Sequence, residues 1–259
     1  MKVAVVFDGA GTLAKILRSI KEIDTGKFLC QKQTVDIVDE KKGRALVIIK
    51  DDPLEILCKE DSEKLISEFL SNIDFGVSYC NPPINAKAVF NDKKAKVREL
   101  KEPLSKLIEW NAEMDFGSAL VVDTYNSKIE YTIATAGRLF PEVAETIEKL
   151  KSMGIEVFIA SGDRKGFVKK LAKLTGVDEK NIVPEAHQGV KKKLIRELKS
   201  RGYFTIMVGD GSNDVPAMLE SNLAVATLQN GYASPRCLEV ANIRISNIKE
   251  ILSICKNLI

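Results

Sequence analysis

Thr205-Ile206-Met207-Val208-Gly209-Asp210-Gly211-Ser212-Asn213-Asp214-Val215-Pro216-Ala217-Met218 is the stretch whose reading decides the fold. The run from Thr205 to Val208 has no polar break of the kind a half-exposed strand shows, so it predicts a strand buried on both faces. A Gly-rich acidic loop follows, and a helix is expected over 215–220. The same rhythm extends outward. Helices are predicted over 142–153, 165–174 and 191–201, and strands over 156–160, 223–226 and 243–245, with a final helix in the tail. Strands alternating with helices imply βαβ units and a doubly wound parallel sheet of the α/β class.

The Val-rich run 2–7, ending at Asp8-Gly9, reads as a further central strand of that sheet. The sheet is therefore split in sequence. Between its parts the pattern changes. Extended hairpins are expected over 16–50, with a turn at Asp24-Thr25-Gly26-Lys27, a β-branched run Thr34-Val35-Asp36-Ile37-Val38 and a strand at 45–49. Asp61-Ser62 is placed to cap a helix whose apolar face is Leu65, Ile66, Phe69 and Leu70. A helix pair is expected over 92–101 and 103–114, split at Pro103. Segments 118–123 and 129–134 flank the turn Tyr125-Asn126-Ser127-Lys128 as a hairpin. The expected organisation is a Rossmann-like core, 1–15 and 118–259, carrying an inserted α+β cap domain at 16–117.

Composition narrows the class. With 259 residues, 45% hydrophobic and 29% charged, the chain has the make-up of a soluble globular protein. A net charge of +3 is too small to point to a nucleic-acid or membrane partner. No apolar run approaches the roughly 20 residues that cross a bilayer, and Asp8 interrupts the N-terminal run, which reads as a strand and not a signal peptide. Cys30, Cys58, Cys80, Cys237 and Cys255 lack CxxC spacing, so they are expected as buried small hydrophobes in a protein of the reducing cytoplasm.

Three predicted strands end in polar, Gly-rich loops: Asp8-Gly9-Ala10-Gly11-Thr12, Ser161-Gly162-Asp163, and Gly209-Asp210-Gly211-Ser212-Asn213-Asp214. Ligands of open α/β sheets bind beyond the carboxyl ends of the strands. A carboxylate at the tip of a buried strand is fixed and partly desolvated, which suits a metal ligand or a nucleophile. Any one such loop is explained by a strand-to-helix turn with a capping side chain. Three at one sheet edge place Asp8, Asp210 and Asp214 in a common site. A calcium-loop reading of 210–214 fails, because Val215 stands where the turn glycine belongs and Ser221 where the bidentate Glu belongs.

These loops resemble the motifs of the haloacid dehalogenase superfamily of phosphohydrolases and phosphotransferases. Within it, the likeness is to the phosphorylation domain of P-type ATPases. Asp8-Gly9-Ala10-Gly11-Thr12-Leu13 resembles the first motif except at its third position, Ser161-Gly162-Asp163 the second, and 208–218 the fourth, with the Pro216-Ala217 pair of the pumps. The likeness covers about 1–13 and 118–230. The segment 14–117 occupies the slot where the pumps insert a nucleotide-binding domain. No ion pump is expected without membrane-spanning runs.

The resemblance implies roles. Asp8 is the expected nucleophile, and Mg2+ is expected to be held by Asp8, the Ala10 carbonyl, Asp210 and Asp214. The Ser161 hydroxyl and Gly162 N–H would hold a phosphoryl oxygen, while Gly11 and Thr12 shape the loop. A lysine should complete the charge clamp, from Lys191, Lys192 or Lys193. Lys191, 19 residues before Asp210, matches the spacing in the pumps and leads a helix with Ile195 and Leu198 on its buried face. His187 is expected as a surface residue, Trp110 as a core anchor of the cap, Asp163 as a helix cap, and Lys15 and Arg18 as solvated.

Family phosphatases carry a second Asp where this chain has Ala10, and that Asp protonates the leaving group and then activates water. The expected function is a magnesium-dependent phosphohydrolase acting on a small phosphorylated substrate through an aspartyl-phosphate at Asp8, slow on alkyl phosphates. Two alternatives stay open. One is an impaired homologue that binds a phosphorylated ligand or a protein. The other is a phosphonate hydrolase-like enzyme, since phosphonoacetaldehyde hydrolase also has Ala at this position.

Overall fold

The structure is a computed structural model that describes residues 2–29, 32–85, 91–163 and 165–258. Along the chain run β1 (Val3–Phe7), β2 (Ala14–Glu22), β3 (Phe28–Leu29), α1 (Thr34–Asp39), β4 (Arg44–Ile49), α2 (Pro53–Leu57), α3 (Ile66–Phe69) and β5 (Phe75–Cys80). Next come α4 (Val97–Glu109), β6 (Met114–Asp123), β7 (Lys128–Leu139), α5 (Val143–Ser152), β8 (Glu156–Ala160), α6 (Lys165–Thr175) and β9 (Ile182–Val183). The rest is α7 (Gln188–Ser200), β10 (Phe204–Gly209), α8 (Val215–Glu220), β11 (Leu223–Thr227), α9 (Pro235–Val240), β12 (Ile243–Ile245) and α10 (Glu250–Lys256). The chain divides into two compact units, Met1–Ile16 with Gly137–Ile259, and Leu17–Ala136.

The first unit is the α/β core. Its sheet is parallel throughout, in the order β12-β11-β10-β1-β8-β9. Every residue of β1 is buried, as its unbroken apolar run requires. From β1 the chain builds outward through β8 and β9 on one side, then through β10, β11 and β12 on the other. The order therefore reverses between β1 and β10, which is where open α/β sheets leave a crevice for ligands. Helix α7 buries Lys191, Ile195 and Leu198 at i, i+4 and i+7. The two apolar members join a core with Met207, Ala217 and Met218.

The second unit is α+β, a six-stranded sheet in the order β3-β2-β7-β6-β4-β5 with α1 to α4 among its described residues. Leu57, Ile66, Phe69, Leu100 and Leu107 from α2, α3 and α4 pack with Val47, Leu120 and Val122. In a separate cluster, Ile37 and Val38 of α1 pack with Ile20, Val121 and Tyr131.

Several expectations give way here. The insertion runs to Ala136 and not to 117, because β6 pairs with β4 over Arg44–Ile49 and belongs to the second sheet together with β7. Thr34–Asp39 is a helix and not a strand. Its buried residues Thr34, Ile37 and Val38 stand at i, i+3 and i+4, a helical stripe, and packing overrides the β-branched composition. The segment after Asp61 turns on the Asp61 side chain, which accepts the Glu63 N–H at 3.0 Å, and the helix starts only at Ile66.

The expected pair split at Pro103 is the single helix α4, with Pro103 inside it. A proline there cannot donate to the carbonyl of Glu99, and the Thr132 hydroxyl donates to that oxygen instead, at 2.6 Å. Trp110 caps the end of α4 at 40% exposure and is no core anchor. Cys237 and Cys255 are buried as expected, whereas Cys58 is exposed and Cys80 half-buried; Cys30 lies outside the described residues. No described helix is long and apolar enough to cross a membrane.

Replacing Thr132 by valine leaves the Glu99 carbonyl without its buried donor. The expected loss is about 1–3 kcal/mol in urea unfolding, and an unchanged midpoint would show that the hydroxyl is not what accommodates Pro103.

Candidate active site

The site is built where β1, β8 and β10 end. Past β1, the Asp8 N–H still donates to Val208 across the sheet, at 3.0 Å, so the residue is fixed at the strand tip. The chain then doubles back. Leu13 and Ala14 N–H groups both reach the Gly9 carbonyl, at 2.8 and 3.1 Å, and Gly11 N–H reaches Ala14, at 2.8 Å. Gly11 has φ +84, and a Cβ there would lie 2.1 Å from Asp210 Oδ2. Only glycine supplies both the left-handed backbone and the room. Thr12 donates its hydroxyl to Asp210 Oδ1 at 3.3 Å. Ala10 is half-buried within this loop and forms a bridge with Ala14.

The loop after β10 folds around its own carboxylate. Asp214 Oδ2 accepts the Gly211 N–H at 3.0 Å. A side chain at Gly209 would meet that same oxygen at 2.3 Å, so a bare backbone is required there too.

From α7, Lys191 reaches in. Its ammonium donates to Asp8 Oδ1 and, at 2.7 Å, to Asp214 Oδ1, with the side chain 0% exposed. Its neighbours turn elsewhere: Lys192 lies 3.8 Å from Glu220, and Lys193 lies 3.6 Å from Glu197 on its own helix. Among the three lysines, geometry singles out Lys191.

Ser161 follows β8 and is buried; its N–H donates to Val183 at 3.1 Å. Its hydroxyl donates to Asp163 Oδ2 at 2.5 Å, so the Asp163 carboxylate serves Ser161, a contact that the expected capping role does not foresee. Gly162 is exposed. His187 is the exposed N-cap of α7, where Nδ1 accepts the Gly189 N–H at 3.2 Å. Lys15 is exposed as expected, and Arg18 donates to Gln33 at 2.8 Å.

Electrostatics follow from crowding. Burial, then the charge of Asp214, pushes Asp8 up to about 8, against the pull of Lys191. Burial and Asp214 likewise push Asp210 up to about 6, opposed by the Thr12 hydroxyl. Burial pushes the Lys191 ammonium down, but Asp8 and Asp214 outweigh it and hold it above its ordinary value. The Cys237 thiol, whose Sγ lies 3.5 Å from the Gly209 carbonyl, is pushed up to about 12 by burial and then by the three carboxylates, so it stays neutral.

Asp8, Asp210 and Asp214 each offer an oxygen within 4.8 Å of the others. Among the described residues, these three carboxylates face the Lys191 ammonium, and burial followed by the charge of Asp214 raises both Asp8 and Asp210. A hard divalent cation with oxygen ligands fits this donor set. The structure brings together the three aspartates that the sequence motifs single out, but the motifs carry no signal for Asp163 as the partner of Ser161.

Residues 3–222 match the haloacid dehalogenase-like hydrolases. The "soluble P-type ATPase-like phosphatase" of Methanocaldococcus jannaschii is 64% identical over 259 residues, covering all of this chain and 95% of that protein. The "copper-exporting P-type ATPase B" of Archaeoglobus fulgidus is 26% identical over 246 residues, 93% of this chain but 33% of the pump, so the chain spans about a third of that relative. The solved catalytic domain of the CPx-ATPase CopB-B aligns over 99% of this chain and 90% of its own, with 18% identity and a TM-score of 0.51, a likeness of fold.

Asp210 gives a pH prediction. Its ordinary value is 3.8 and its folded value is about 6, so its stabilising share is complete below 3.8 and is lost as pH rises through 6. Without metal, Asp210→Asn is therefore expected to raise the thermal midpoint at pH 8 relative to pH 4. For the same reason, binding of a divalent cation, tested with magnesium, should release protons between pH 5 and 8, measurable by calorimetry in buffers of different ionisation heat. Proton-neutral binding would contradict the raised carboxylates.

Proposed function

Because the chain belongs to the haloacid dehalogenase-like hydrolase family, we propose that it is a magnesium-dependent phosphatase that passes through an aspartyl-phosphate on Asp8. The observation that carries the reading is the buried Lys191 ammonium joining Asp8 to Asp214 at the switch point of the sheet. The phosphatase named among the relatives, 64% identical across this whole chain, supports it.

Asp8 attacks phosphorus, the bond to the leaving oxygen breaks, and the phosphoryl group passes to the carboxylate. Water then attacks the same phosphorus, releases inorganic phosphate and restores Asp8. Asp8, Asp210, Asp214 and the Ala10 carbonyl would hold magnesium, which would supply the charge neutralisation that lets a carboxylate approach an anionic phosphate. Lys191 adds a fixed ammonium beside the nucleophile. The Ser161 hydroxyl, turning its one proton from Asp163, and the Gly162 N–H would hold a phosphoryl oxygen, and Gly11 and Thr12 keep the nucleophile loop in register with Asp210.

Ala10 shapes the substrate range. No carboxyl stands there to protonate the leaving oxygen or to take a proton from water, so substrates with good leaving groups, aryl and acyl phosphates, are favoured over alkyl esters. The same residue supports a second reading, a phospholigand-binding module with little turnover.

Hydrolysis of an aryl phosphate and of acetyl phosphate, with and without magnesium, separates the two. Asp8→Asn is expected to reduce turnover by on the order of 10⁴-fold or more, as loss of a nucleophile does. Ala10→Asp is expected to speed alkyl-ester hydrolysis by roughly 10²–10⁴-fold, the usual worth of a general acid–base group. Undiminished activity in Asp8→Asn would contradict the nucleophile, and no turnover by the wild type would favour the binding module.

A further inference from the structure

Gln229, just past β11, is half-buried, and its carboxamide is bonded at both ends. Nε2 donates to the Thr12 carbonyl at 3.2 Å, and Oε1 accepts the Ile248 N–H at 2.6 Å. Its own backbone N–H is held by the Thr227 hydroxyl at 3.2 Å. The orientation of the amide is set by chemistry, since Thr12 presents an acceptor and Ile248 a donor. Only a side chain with both functions on one planar group can join the two.

What it joins is the nucleophile loop to the segment that leads into α10. Thr12 is the residue whose hydroxyl reaches Asp210, and the next carbonyl, Leu13, accepts the Phe140 N–H at 3.0 Å. Beside Ile248, Asn247 and Lys249 both hold the Glu142 carboxylate, at 2.7 and 3.0 Å. The outgoing chain at Thr12–Leu13 and the returning chain at Phe140–Glu142 are thus tied to one segment, Asn247–Lys249, with Gln229 as the link on the nucleophile side. The internal bonds of the loop close on Gly9 and Ala14 and do not anchor the Thr12 peptide to the rest of the core. The Gln229 amide does.

We infer that Gln229 is a positioning residue: it fixes the Thr12 peptide plane, and through the Thr12 hydroxyl it holds Asp210 in register with Asp8, without touching substrate. The inference rests on the phosphatase reading for its kinetic consequence but not for its structural one. Groups that orient metal-binding and catalytic residues from behind are typically worth roughly 10–100-fold in affinity or activity.

Two substitutions separate the halves of the link. Gln229→Glu keeps an acceptor for Ile248 but turns a carboxylate toward the Thr12 carbonyl, whereas Gln229→Met removes both bonds at similar volume. Amide hydrogen exchange, followed by mass spectrometry on the full chain without metal, is expected to show faster exchange of 9–14 in both variants, and of 246–252 only in Gln229→Met. With magnesium and an aryl phosphate, kcat in Gln229→Glu should fall roughly 10–100-fold with KM and the thermal midpoint near wild type. Wild-type exchange over 9–14 together with wild-type kcat in Gln229→Glu would overturn the assignment. So would a loss of kcat that only tracks a lower thermal midpoint. If the wild type hydrolyses no phosphate ester, the functional reading falls, and the exchange pattern still decides the role of Gln229. If Gln229→Met does not fold, Gln229→Glu carries the test.

Discussion

The Lys191 ammonium lies fully buried between Asp8 and Asp214, and the architecture of the core serves that placement. A buried charge is tolerated only when paired and hydrogen-bonded. The partners here are 183 and 23 residues away in sequence. Bringing them together takes a parallel sheet in which β1 and β10 are neighbours and a helix, α7, whose first turns lie over their carboxyl ends. The pairing also leaves a surplus. Among the described residues three carboxylates share the pocket with one ammonium, and burial together with the charge of Asp214 pushes Asp8 and Asp210 toward their protonated forms. Structural charge balance and readiness for a divalent cation are the same property of this site.

Small residues set its geometry as firmly as charged ones. Gly11 and Gly209 stand where any side chain would strike the Asp210 and Asp214 carboxylates. Ala10 is a different kind of small residue: on the proposed phosphatase reading it stands where the family's phosphatases carry a proton-transfer group, while Asp8, Asp210 and Asp214 stay clustered beside it. On that reading, binding chemistry and leaving-group chemistry are separated in one loop, and the second would fall to the substrate.

Much of this was legible in the sequence, for local reasons. Unbroken apolar runs mark buried parallel strands, and the acidic loops sit directly at their ends, so the α/β core, the aspartate cluster and Lys191 were readable without coordinates. Errors gather where the deciding partner is remote. Thr34–Asp39 has strand-like composition, but its buried stripe is helical. Pro103 looks like a helix break until Thr132, on another element, supplies the missing donor. The hairpin of β6 and β7 carries no local mark of which sheet it joins; pairing with β4 decides it. Asp163 and Gln229 were silent for the same reason, since their roles consist of tertiary hydrogen bonds.

The central claim is that Asp8 itself carries the phosphoryl group. The most direct measurement is chemical trapping. The protein is mixed with magnesium and an acyl phosphate, quenched in acid, reduced with borohydride and digested, so that an aspartyl-phosphate is converted to homoserine at its own position. The account predicts homoserine at residue 8 in the wild type and none in a parallel sample without phosphate donor. Sustained turnover with no modification at residue 8, or with the phosphoryl group found on Ser161, would contradict it.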